Sequence, residues 1–210
     1  MAPRLKTAGM LGIVAGLAGL IGFGFFQTSG FTPAMADTAN AIAWVNANLG
    51  RLRITIFFYL VSIGAAAIFV AGLAEKLRAR TPTRAAATLY LYLLGLAGFG
   101  IGSLLFGGSL PAIAALPDRV AASHAWTAVS AVNVATGGFG NLFTGSATLL
   151  AGWAIVESNA LSVALGYFGL LVGIVSVLGV LVPHQLLVLG GSFLPALWLI
   201  WSGSALRRSM

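Results

Sequence analysis

The run ITIFFYLVSIGAAAIFVAGLA, residues 54–74, lies between Arg51-Leu52-Arg53 and Glu75-Lys76-Leu77-Arg78. It has no charged side chain inside and basic residues at both ends. At about 1.5 Å per residue a helix of this length crosses the roughly 30 Å hydrocarbon core of a bilayer. Five more runs of similar character stand at residues 8–26, 86–106, 129–156, 160–182 and 186–204, and none carries a charge in its middle. The chain reads as an all-α, polytopic membrane bundle of six transmembrane helices.

Composition agrees. Of 210 residues, 59% are hydrophobic and 7% charged, against about a quarter charged in soluble domains. The gaps between runs are too short for a second core, so residues 1–210 read as a single integral membrane domain. The formal charge of +7 does not indicate nucleic acid, because the basic residues mark the ends of apolar runs and share no polar face. With no cysteine, thiolate metal sites, disulfides and cysteine nucleophiles are excluded.

Six crossings place both termini on one side. The N-terminus, the 75–84 loop, the 157–159 turn and the C-terminus hold eight of the eleven basic residues, leaving Arg51, Arg53 and Arg119 on the other face. The positive-inside rule therefore predicts cytoplasmic termini in a bacterial inner membrane. Trp44 and Trp126 fall at outer ends of their segments, and Trp153, Trp198 and Trp201 at inner ends, as expected of interfacial indoles. Ala34-Met35-Ala36 before Asp37 resembles a signal-peptidase site, but the 8–26 run exceeds the ~7–15 residues of a signal-peptide core, which favours a retained first helix.

Between the first two spans, Thr32-Pro33 reads as a helix N-cap and first residue. Ile42, Val45 and Leu49 then recur at helical spacing up to Gly50, predicting a short helix along the outer surface. Residues 107–123, with Pro111 and Pro117, read as irregular until a helix opens near Asp118 and runs on into the fourth span. Glycine stripes at Gly9, Gly12, Gly16 and Gly19 and at Gly95, Gly98 and Gly102 predict close helix contacts. Pro195 is expected to bend the last helix.

Chemistry-bearing residues are few. His124 and His184, both assigned to the outer face, form a candidate pair for haem iron or a transition metal; the alternative is two interfacial histidines bonded to water or headgroups. In the fourth span Asn133, Asn141 and Thr144 surround a glycine-rich stretch. Amides at membrane depth need partners or a cavity, which makes this the candidate ligand site, with interhelical hydrogen bonding as the alternative. Arg51 and Arg53 are candidates for a lipid headgroup or a partner's acidic residue, or they simply reach the interface. No carboxylate lies within a span, so ion-coupled transport lacks its usual relay.

The segments Leu52-Arg53, Gly-Asn-Leu-Phe-Thr-Gly at 140–145, Gly152-Trp153, Gly-Tyr-Phe-Gly-Leu-Leu-Val-Gly at 166–173 and Leu-Trp-Leu-Ile-Trp-Ser-Gly at 197–203 resemble a bacterial family of six-helix integral membrane proteins of unknown function. The resemblance covers the helix count, the loop pattern and the second half of the chain. It implies an architecture and supplies no catalytic residue. The chain departs from the family's pattern at Glu157 and Ser162, where a basic residue and a later proline are common.

The expectation is a non-enzymatic accessory or binding subunit, packed against lipid, a membrane-protein partner or another copy of itself. The alternative is a carrier or binder of a small apolar molecule such as a quinone, pigment or haem, in a cavity near Asn133 and Asn141. An intramembrane enzyme, with His124 as its one conceivable general base, stands third.

Overall fold

The computed structural model describes residues 2–30, 38–182 and 185–209. They form six helices and no strand: α1 (Ala2–Gln27), α2 (Thr38–Arg78), α3 (Pro82–Ala114), α4 (Arg119–Ser158), α5 (Val163–Leu181) and α6 (Gln185–Arg208). All six contain stretches long and apolar enough to cross a membrane. Each helix packs on the next and α1 packs on α6, closing a ring, while α2 also reaches α4 across it.

In lipid, helices gain little from burying apolar surface against one another, so close van der Waals approach must hold them together. The glycine stripes provide it. A Cβ on Gly9 would lie 2.6 Å from the Gly203 carbonyl oxygen, and one on Gly203 2.6 Å from that of Gly9. Between α4 and α5, Gly152 meets the Gly166 carbonyl oxygen at 2.6 Å and Gly173 meets that of Gly145 at 2.7 Å. Between α3 and α4, Gly95 meets the Gly140 carbonyl oxygen at 2.8 Å. Any side chain at these positions would force the backbones apart.

The helix predicted along the outer surface is present from Thr38, but it is the opening of α2 and not a separate piece. Gly50 does not end it. A glycine inside a helix costs about 1 kcal/mol relative to alanine, whereas unbroken helical phase keeps Ala41, Trp44, Val45 and Leu52 on one buried stripe. The proposed cap at Thr32-Pro33 and the Ala34-Met35-Ala36 site lie outside the described residues.

The segment from residue 107 to Asp118, expected to be irregular, is largely helical instead. α3 continues through Pro111 to Ala114, because Leu110 and Ile113 are buried against Trp126 and the α2 stripe. Only a short break remains before Asp118, whose carboxylate accepts from the Val120 amide at 2.8 Å and caps α4 as predicted. α2 and α4, of 41 and 40 residues, each extend about 60 Å, twice the hydrocarbon thickness. The ends of α2, α3 and α4 that lie away from the chain termini, termed the outer end from their position in the bundle alone, build a second hydrophobic core beyond the main one.

Both termini, the α2–α3 loop and the α4–α5 turn gather at one end of the bundle. Lys76 donates to the Ser209 carbonyl at 3.1 Å, and Arg80 donates to the Ser158 carbonyl. Arg84 pairs with Glu157 and lies over the Trp153 ring, 4.1 Å from its centroid. Asn159 closes α4 in the left-handed region at φ 50°, a conformation asparagine tolerates. Ser162 then caps α5 by accepting from the Leu165 amide. Glu157 and Ser162 thus each hold this turn. Of the tryptophans expected at the interfaces, Trp44, Trp126 and Trp198 are instead buried, and only Trp153 and Trp201 are exposed.

Candidate functional site

The ring of helices is hollow in its middle, between the two hydrophobic cores. A cavity of about 370 Å³ lies between α1, α2, α3, α4 and α6, with α5 contributing nothing to its wall. Helical spacing puts each lining set on one face. α2 presents Leu52, Thr55, Ile56, Tyr59, Ser62, Ile63 and Ala66, and α3 presents Tyr92, Leu96, Phe99, Gly102, Ser103 and Phe106. α1 adds Phe23 and Phe26, and α6 adds Pro195, Ala196 and Leu199.

The α4 face is Asn133, Gly137, Asn141 and Thr144, at offsets of four, four and three residues. Gly137 makes the room: a Cβ there would meet no heavy atom within 4 Å. Thr144 Oγ1 is engaged, donating to the Gly140 carbonyl at 2.7 Å. Ser62 Oγ is also engaged, donating to the Ala15 carbonyl at 2.8 Å and tying α2 to α1. Among the described residues the side-chain amides of Asn133 and Asn141 have no hydrogen-bond partner, and neither do the hydroxyls of Tyr59 and Tyr92. Asn133 and Asn141 are half-buried, so their amides remain open to the cavity space. The cavity therefore offers free donors and acceptors to a guest inside an aromatic and aliphatic wall.

The three α4 residues singled out from sequence are thus brought together on one wall. Sequence reasoning missed Phe23, Tyr59, Tyr92 and Phe99; the signal for α2 was present in Thr55, Tyr59 and Ser62, which recur at helical spacing within an otherwise apolar run.

The remaining candidates lie elsewhere. His124 is exposed near the start of α4 and does not line the cavity; His184 is outside the described residues. Among the described residues no group of three His, Cys, Asp or Glu side chains could hold a metal ion. Arg51 donates to the Thr28 carbonyl at 2.8 Å, placing its charge at the C-terminal end of α1, where a cation is favoured. The Trp44 indole donates nearby, to the Ser29 carbonyl at 2.8 Å. Arg53 is exposed.

Residues 7–203 match the family described as Domain of unknown function (DUF4386). Comparison with curated proteins and with solved structures finds no match in either.

The chain belongs to the DUF4386 family, and the match runs through all six helices.

Proposed function

We propose that this DUF4386 protein is a non-enzymatic binder of a small apolar molecule bearing a few polar atoms, of the quinone or pigment type, held in the central cavity. One observation carries the reading: unpartnered Asn133 and Asn141 amides line a cavity of about 370 Å³ within an apolar wall. That volume falls in the range of small-molecule sites, about 300–1,000 Å³, which combine apolar walls with a few orienting polar groups. Asn141, Asn133 and the two tyrosine hydroxyls bond the guest's oxygen or nitrogen atoms, and the phenylalanines pack its ring or chain. The protein sits in the bacterial inner membrane with both termini cytoplasmic, in keeping with the eight basic residues at the terminal end of the bundle.

The test is extraction of the protein from its own membrane in polymer-bounded lipid discs, followed by solvent extraction and mass spectrometry. The wild-type protein is expected to retain one lipophile in near-stoichiometric amount, and Gly137→Phe, which fills the cavity from an open position, is expected to lose it. An extract identical to bulk lipid in both proteins overturns the reading. If a membrane protein co-purified in the same experiment, with no enriched lipophile, the accessory-subunit reading would take its place.

A further inference from the structure

The cavity is covered at both ends of the bundle. Toward the terminal end the glycine contacts of α1 with α6 and of α4 with α5 bring backbones together. Toward the outer end Phe106, itself a wall residue, packs on Trp126 with ring centroids 6.2 Å apart. Leu52, another wall residue, joins Trp44, Leu110 and Ile113 in the outer core. The sides are not equally closed. α1 and α6 touch tightly only in the terminal half: Gly16 abuts the Ala196 carbonyl, whereas at Gly19 the nearest α6 atom to a Cβ is that of Ala196, at 3.9 Å. One turn further out, the three atoms nearest to a Gly22 Cβ all belong to α2. Where α1 and α6 part, an apolar groove runs on the outside of the bundle, lined by Phe23, Leu189, Gly190, Phe193 and Leu194. Phe23 lines both this groove and the central cavity.

We infer that bilayer-dissolved molecules reach the central cavity sideways, through the groove between α1 and α6 and past the Phe23 ring. The inference rests on the cavity reading above and narrows its ligand to a lipid-phase molecule. Every side chain in the groove is apolar, so a hydrophobic guest crosses it without meeting water or a charge. A route from the outer aqueous face would have to open the Trp44–Trp126 core. Phe23 is the residue that both linings share, so the route passes its ring.

The absence of native cysteine gives a clean experiment. The double variant Phe23→Cys, Leu194→Cys, at two positions that line the groove, is reconstituted in bilayers and its thiols are bridged by a bismaleimide whose own disulfide spans the parted helices. The oxidised linker, verified by intact mass, closes the groove and its reduction reopens it. The protein is then photolabelled with an iodophenyl diazirine that partitions into the hydrocarbon, and labelled residues are mapped by mass spectrometry. Label on the Asn133–Thr144 stripe is expected in the reduced protein and in wild type, and its loss is expected on oxidation. The exposed residues Tyr90 and Leu104 should label equally in both states. Phe23→Ala, which needs no disulfide, should label the stripe faster than wild type. Equal stripe labelling in the oxidised and reduced states, or an unchanged rate in Phe23→Ala, overturns the lateral route while the cavity stands. Stripe labelling that Gly137→Phe leaves unaltered, or that wild type never shows, overturns the cavity reading and the route with it.

Discussion

The terminal end of this bundle and the stretch around its central cavity use the same residue for opposite ends. Gly152 in α4 exists for contact: its missing side chain lets the Gly166 carbonyl approach to where a Cβ would be 2.6 Å away. Gly137, four turns earlier on the same helix, exists for space, with nothing within 4 Å of its Cβ position. A glycine-rich membrane helix therefore need not be a packing motif along its whole length. The terminal end is zipped, whereas the middle is hollow around Gly137 although α3 and α4 still touch there at Gly98 and Gly102, and unpartnered amides face the void.

The sharpest way to break this comparison is to place leucine in each region. Gly152→Leu should destabilise the bundle by about 3 kcal/mol, the upper end of what overpacking costs, or prevent folding. Gly137→Leu should leave stability unchanged or raise it by up to about 1 kcal/mol through helix propensity, while abolishing ligand retention. Unfolding titrations in mixed detergent micelles measure both, and equal effects at the two sites would dissolve the distinction.

Asn141→Leu comes next. Removing a half-buried, unpartnered polar group should stabilise the ligand-free protein by up to about 1 kcal/mol, and losing one hydrogen bond to the guest should weaken retention by about tenfold. A destabilised variant would mean that the amide has a structural partner. Thr144→Val should cost about 1 kcal/mol, the worth of one hydrogen bond, and leave retention unchanged, because its hydroxyl bonds the Gly140 carbonyl of its own helix. Loss of retention there would enlarge the polar site by one residue. Smallest of all is Glu157→Gln. The Arg84–Glu157 pair joins side chains that are 28% and 50% exposed, so solvent screening limits its contribution to about 0.2–1 kcal/mol. Added salt should erode the wild-type advantage seen by thermal shift, and a larger, salt-insensitive loss would show that the α4–α5 turn depends on this pair more than its exposure implies.

Much of the fold was legible in the chain itself. The six crossings, the glycine contacts on α1 and α3, and the Asp118 start of α4 follow from local pattern. The continuity of α2 through Gly50 and of α3 through Pro111 did not, because burial of Trp44, Leu52, Leu110 and Ile113 in a shared outer core outweighs a local helix breaker. Trp44, Trp126 and Trp198 illustrate the same limit: their positions near segment ends suggested headgroup contact, yet neighbouring helices cover them. At the site, Asn133 and Asn141 stood out because an amide is conspicuous in an apolar run. Phe23 and Phe99 did not, since a phenylalanine facing a cavity and one facing lipid look alike in sequence.

By itself, the sequence determined how many times the chain crosses a bilayer and at which end its charge collects. Those are properties of single segments, set residue by residue by the cost of placing polar groups in hydrocarbon. Which glycines close a contact and which open a cavity was decided only by the tertiary structure. Packing is a relation between atoms on different helices, and no segment carries that information alone.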